Sequence, residues 1–439
     1  MSVDTWSVAA SMVLMVSCGA ENVFSLVAED LKETLGLYQE SMEVLASMFM
    51  VGSCLGPVNG YLIHRCSQRQ NCAISTVMLA AGYAYILAAM RLGGPFANVA
   101  AISLSFFLVG VGTGLAFAVG LDNIVVSCPR TIRGTLVSVV VSVASFSAFP
   151  LVFAYQLPLF RLEPKRPSRL FAFFVVLLTS AGIFAMTFMR RFNQQSTEQV
   201  SLLQSVDVSD TLHSSHKRGL VEALKAAIAR PVFWLLLCNV FLLGGAGSFH
   251  LWNVGNLIHS IEGGSQAAST SSAILLSAAS QGTSRLLVAA SDRVAVRRGW
   301  VSAVVSLIGL GSSLIALTSL STLSSIYVAT VGFAFVCGSI WALFPLIAAD
   351  AFPIGDFSKI WGLLSLGPGL GSMSFNLLAG YLYEAHSTGR DCSGTACYGA
   401  AYIATTLATG ICLLSHIWII PRTEYAGSPR MHDTTMAHS

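Results

Sequence analysis

Twelve apolar stretches, near residues 5–27, 42–63, 72–91, 97–126, 135–157, 169–189, 231–257, 268–290, 299–318, 324–348, 358–383 and 399–420, each hold at most one Asp, Glu, Lys or Arg. Nothing else in the sequence restricts the fold so tightly. A run of about 20 apolar residues is the length at which an α-helix crosses the hydrocarbon of a bilayer. In that solvent every backbone N–H and C=O must be satisfied within the segment, which leaves the helix as the conformation for each run. Twelve helices of ~20 residues use roughly 240, and the rest of the 439 suffices for short loops and one longer connection. The composition agrees: 54% of residues are apolar and 10% charged, where soluble domains carry roughly 25% charged residues. A soluble fold of this length would lack the charge to cover its surface, so an ordinary cytosolic enzyme is excluded.

The runs fall into two sets of six. Between them residues 190–230 turn polar, with Gln194, Gln195, Ser196 and Gln199 followed by Asp207, Asp210, His213, His216, Lys217 and Arg218. The expected organisation is an all-α integral membrane protein with a six-helix half over 1–189, a linker over 190–230, a second six-helix half over 231–420 and a polar tail over 421–439. Leu220, Leu224, Ala227 and Ile228 sit at helical spacing late in the linker, which suits a short helix on the membrane surface or a solvated one. With the N-terminus in the cytoplasm, sixteen Lys and Arg fall inside and seven outside, with Arg285 within a span. That bias places both termini in the cytoplasm, although four outside charges between Arg161 and Arg169 run against it. The segment before the first run has no basic residues, so that run reads as a retained span rather than a cleaved signal. The expected membrane is the plasma membrane or that of an internal organelle. Net charge is +3 with no long basic tract, which gives no reason to expect nucleic acid as a partner. The expected partners are the lipid bilayer and a small molecule or ion, handled by a monomer without a cofactor.

Cys18, Cys54, Cys238, Cys337 and Cys412 lie in apolar runs, where a thiol packs as a small apolar group. Cys392 and Cys397 lie in a polar loop that the orientation places outside, and a disulfide is expected between them. With His386 they would form only three ligands of a metal site.

Pro129, Arg133, Gly134 and Thr135 open span five, Gly247, Asn253 and Gly255 mark span seven, and Gly338, Trp341, Pro345, Asp350 and Phe352 run through span ten. Gly362, Pro368, Gly371, Ser372, Ala379, Gly380 and Tyr383 follow in span eleven. Together these stretches resemble the nodulin-like branch of the major facilitator superfamily, related to carriers of the monocarboxylate and oxalate-formate type. The resemblance covers most of the chain and implies two six-helix halves around a central cavity. The superfamily's loop between spans two and three reads Gly-x-Leu-x-Asp-Arg-x-Gly-Arg; here it is Gly60, Leu62, His64, Arg65, Ser67 and Arg69, with His64 in place of the acid. The related stretch at the end of span eight holds Ser284, Arg285, Ala289, Asp292, Arg293, Arg297 and Arg298. The resemblance implies a cytoplasmic gate that includes Arg65, Arg133, Arg285, Asp292 and Arg293, latched by hydrogen bonds that break when the protein opens inward. Related monocarboxylate carriers use an Asp and an Arg four residues apart in span eight. Here those positions are Gln281 and Arg285, so the proton acceptor is lost; Arg285 alone could still hold an anion, but its place near the cytoplasmic end of the span and its match to the gate motif favour a structural role.

Ionisable groups inside a span are costly and therefore point to function. Glu21, beside Asn22, lies in span one, and His250, three residues before Asn253, lies in span seven. The resemblance makes these spans pseudo-equivalent and cavity-lining, so the two side chains are expected to face each other and bind a proton, a cation or a substrate amine. The alternative is that each bonds a polar neighbour and holds helices together. Asp122 and Asn123 fit either gate or cavity, Asn376 and Gln156 fit helix-to-helix bonds, and Trp341 fits stacking on a substrate or plain packing. No nucleotide-binding loop and no nucleophile constellation occurs, so the expected protein is not an enzyme but a secondary transporter that works by alternating access. Its expected substrate is a small organic anion or zwitterion, with possible proton coupling; iron is the rival cargo and a non-transporting sensor the remaining alternative.

Overall fold

In the computed structural model residues 5–19, 31, 34–37, 39–157, 166–189, 220–262, 267–293, 297–319, 322–386 and 398–424 are described, and these contain helices and no strand. Span one begins as α1 (Thr5–Gly19); span two is α2 (Gln39–Ser53) and α3 (Gly56–Arg65); spans three and four are α4 (Gln68–Leu92) and α5 (Val99–Ser127). Span five is α6 (Arg130–Phe146) and α7 (Ala148–Gln156), and span six is α8 (Arg166–Phe188). After a short α9 (Leu220–Ile228) come α10 (Pro231–Glu262), α11 (Ala267–Arg293), α12 (Arg298–Thr318) and α13 (Leu323–Ala351) as spans seven to ten. Span eleven is α14 (Phe357–Leu364) and α15 (Leu366–His386), and span twelve is α16 (Gly399–Glu424). The result is an all-helical fold with two six-helix halves.

Among the described residues three spans are broken, and one rule places all three breaks. A proline lacks the N–H that would bond the carbonyl four residues earlier, and its ring crowds that carbonyl. Pro57, Pro150 and Pro368 therefore strip Ser53, Phe146 and Leu364 of their helical partners, and these are the residues at which α2, α6 and α14 end. Pro345 does the same to Trp341 in span ten, but there the helix runs on. Helix starts follow their caps: Ser67 and Gln70 form a reciprocal capping box at α4, Asn98 Oδ1 accepts from Ala100 N at 2.9 Å, and Thr322 accepts from Ser325 N.

Lipid faces carry exposed large apolar side chains such as Val77, Val176, Leu414 and Ile417, which in water would form an adhesive belt and in a bilayer are solvated. Within the first half α5 packs on α1, α2 and α4; within the second α10 packs on α13, α15 and α16. The halves meet along two seams, α6 against α11 and α3 against α14. At the second seam a Cβ added to Gly56 would fall 2.0 Å from the Gly362 carbonyl oxygen, and one added to Gly60 would fall 2.5 Å from that of Ser358. The two main chains are in contact there, and only glycine permits it. Helix α9 buries Ala223 and Ala227 and packs on α14 and α10, while Val221, Glu222, Lys225 and Ile228 stay exposed.

Candidate functional site

A cavity of about 1130 Å³, its mouth included, lies between the halves. Its wall takes Asn59 from α3, Phe117 and Asp122 from α5, Gln281 and Arg285 from α11, Trp341 from α13 and Trp361 from α14. Three of these rings form one surface across the halves: Phe117 meets Trp341 edge-on at 5.0 Å, and Trp341 meets Trp361 edge-on at 6.3 Å. Among the described residues of the wall, Arg285 is the one cation and Asp122 the one carboxylate.

Arg285 is buried, and two of its bonds run in opposite directions. Nη1 donates to the Val141 carbonyl of the first half at 2.6 Å, and Nε donates to the Gly338 carbonyl of the second at 3.4 Å. Ser142 Oγ adds a bond across the same seam, to the Gly282 carbonyl at 3.3 Å. Asp122 Oδ2 accepts from Gln68 Nε2 at 3.2 Å, while its neighbour Asn123 turns to α1 and donates to Ser7 and Ser11.

His250 is not on this wall. It is buried inside the second half, with Nδ1 2.7 Å from the Tyr402 hydroxyl, Nε2 2.8 Å from Thr330 Oγ1, and its ring stacked on Phe333. Thr330 spends its own proton on the Ile326 carbonyl, so it accepts from Nε2–H, and Tyr402 O–H donates to Nδ1. One neutral tautomer satisfies every group. Asn253 likewise bonds within that half, donating to Asn376 Oδ1 at 2.8 Å. Glu21, Asn22, Cys392 and Cys397 lie outside the described residues, as do the side chains of Gln156, Asp292 and Arg293.

Charged groups gather at the end of the bundle where α1 begins. Arg298 pairs with Asp350, Lys359 Nζ donates to Asp356 at 2.8 Å, and Arg230 donates to the Ala351 carbonyl at 3.0 Å. Arg133 donates to the Cys128 carbonyl at 3.1 Å, and Arg65 lies 5.7 Å over the Tyr61 ring. Sequence reasoning passed over Asn59, Phe117 and Trp361. The signal available for the first and last was the small residues around them, Gly56, Gly60 and Gly362, which mark where two helices cross closely.

The family model for the Major Facilitator Superfamily matches residues 9–290, and the chain belongs to that superfamily. Among curated relatives, the probable transporter MCH1 of Wickerhamomyces anomalus is 23% identical over 403 residues, 86% of this chain and 79% of the relative. The probable transporter MCH1 of Candida albicans is 22% identical over 398 residues, 86% of each chain. Among solved structures, the human organic anion transporter MFSD10 superposes with a TM-score of 0.66 at 14% identity, covering 95% of this chain and 99% of that one. The proton:xylose symporter XylE gives a TM-score of 0.65 at 15% identity, covering 95% of each chain. The fucose:proton symporter FucP of E. coli gives 0.60 at 13%, covering 94% and 98%. These structures share the fold. The chain is thus a multi-pass membrane transporter and not an enzyme.

Proposed function

We propose that the chain carries a small organic anion by alternating access, with the central cavity as its binding site. The carrying observation is Arg285, a buried guanidinium on the cavity wall. An anion entering the cavity loses its hydration, and a fixed guanidinium offers paired N–H donors in the geometry of a carboxylate. The surface formed by Phe117, Trp341 and Trp361 suits the apolar body of such a solute. Asp122, on the same wall, is the described group able to carry a proton or meet a substrate cation. We further read the end with the paired charges as the cytoplasmic gate, both termini as cytoplasmic, the working unit as a monomer and the chain as nodulin-like. The resemblance in the motifs and the Lys and Arg bias support these four.

No described feature favours iron as cargo. Among the described residues no group of three or more His, Cys, Asp and Glu side chains is placed to hold a metal ion, and both ring nitrogens of His250 are spent inside the second half. The test is initial uptake of labelled carboxylates, of zwitterions and of ferrous iron into proteoliposomes holding the purified chain. Saturable carboxylate uptake, inhibited by other carboxylates, is the expected result. Uptake of iron with none of any carboxylate would reverse the reading.

A further inference from the structure

Polar groups on the cavity wall differ in how far the protein satisfies them. Gln281 donates to Ser277 Oγ, Arg285 donates to a carbonyl of each half, and Asp122 accepts from Gln68 through Oδ2 while its Oδ1 is buried with no hydrogen bond. Asn59 is 2% exposed, lies on the same wall, and its Oδ1 is sealed from water with no donor bonded to it. A buried amide oxygen without a donor is unfavourable by the whole of its lost hydration. Leucine has nearly the same shape and would carry no such cost.

The surroundings show why the protein does not supply the donor. Three residues before Asn59, Gly56 abuts the Gly362 carbonyl, and one residue after it, Gly60 abuts that of Ser358. The surface met by this stretch of α3 consists of the Gly362 and Ser358 carbonyls and the Ser365 hydroxyl, whose proton goes to the Gly362 carbonyl, so none of the three offers Asn59 a donor. The cavity borders Asn59 on the same wall.

We propose that Asn59 Oδ1 is a substrate-binding group: the solute whose carboxylate Arg285 holds carries, besides it, an O–H or N–H that donates to Asn59. The substrates are then hydroxy or amino acids in preference to plain carboxylic acids. This rests on the organic-anion reading above. A site with a buried acceptor discriminates against a ligand without the matching donor, because that ligand leaves the acceptor bare in the complex.

The probes are propionate, 2-hydroxypropionate and 2-methoxypropionate, and the same three substituents on phenylacetate, each measured for kcat/KM in proteoliposomes of the full chain. The methoxy acid keeps the oxygen and the bulk but has no proton to donate. In at least one series the hydroxy acid is expected to exceed both others by about tenfold or more, and Asn59→Leu is expected to bring the three to within about twofold. Equal values for all three acids in the wild-type chain would overturn the inference and leave the anion reading standing. So would equal values for the hydroxy and methoxy acids. A preference kept intact in Asn59→Leu, or in Asn59→Ala if the leucine variant does not fold, would assign it to another group and also overturn the inference. Uptake of none of the six would remove the anion reading and the inference with it.

Discussion

Arg285 and His250 are both polar, both buried and both on helices of the second half, yet their hydrogen bonds run to different places. His250 bonds Tyr402 and Thr330, all on spans seven, ten and twelve, so the three move together if the half moves. Arg285 sits where α11 meets α6, bonds the Val141 carbonyl across the seam and lines the cavity. The first arrangement joins helices permanently; the second includes a contact that must break whenever the halves part along that seam. Burial and polarity do not separate a site from a staple in a membrane protein. What separates them is whether the partners belong to one rigid body or to two.

The largest effect that would sharpen this contrast is expected from Arg285→Gln. It removes the one described cation of the cavity wall and leaves two carbonyls without a charged donor. At about 1.5–3 kcal/mol for a bond to a charged group, uptake should fall about 10- to 150-fold. Arg285→Lys keeps the charge without the paired geometry and should recover part of that loss. Both are read as initial uptake rates at equal protein per vesicle, and wild-type rates for Arg285→Gln would abolish the distinction. Next in size is His250→Leu, which leaves the Tyr402 hydroxyl without its acceptor and Thr330 without its donor. The unfolding midpoint in detergent should drop by an amount corresponding to ~1–3 kcal/mol, with the pH profile of uptake unmoved. A shifted profile would make His250 a coupling group and break the comparison from the other side.

The fold was largely legible because its cause is local. A run without charges must be a helix in lipid, and its ends are marked by residues that lipid excludes, so α10 opens at Pro231 and α12 at Arg298, within a residue of expectation. The breaks in spans two, five and eleven escaped notice because hydropathy does not register a missing N–H four residues downstream. The site was far less legible, for a reason particular to this solvent. Lipid outside a helix is as apolar as protein inside it, so a span has no periodic pattern to say which face meets the cavity. Asn59, Asp122 and Arg285 share the cavity wall while His250 and Asn253 do not, and nothing in the spacing of these five residues distinguishes the two groups.

A smaller effect is expected at the second seam. In Gly56→Ala the new Cβ would fall 2.0 Å from both the Gly362 carbonyl oxygen and Ser365 Oγ. A main-chain atom cannot step aside alone, so α3 and α14 must part, at a cost of about 1 kcal/mol or somewhat more. Parting loosens the cavity at the end where α1 begins. Alkylation of Cys54, which lines the cavity, by a small maleimide in the folded protein should therefore quicken, as measured by peptide mass spectrometry. An unchanged rate would mean that this seam does not limit access and that only the α6 and α11 seam separates the halves.

The smallest effect, and the most discriminating for the rule of one body or two, is expected from Asn253→Ala. Asn253 Nδ2 donates to Asn376 Oδ1 at 2.8 Å, and Asn376 in turn donates to the Ser372 carbonyl at 2.8 Å. All three residues lie in the second half, on spans seven and eleven. Side-chain bonds between helices in a membrane average only ~0.6 kcal/mol, since each group finds another partner when one is lost. The variant should lose about that much stability and keep its uptake rate and substrate order, although span seven borders the cavity through Gly244 and Ser248. Lost uptake with an unchanged unfolding midpoint would show that an amide bonded within one half still reaches the solute. Membership of a rigid body would then be insufficient to tell staple from site, and proximity to the cavity would have to replace it.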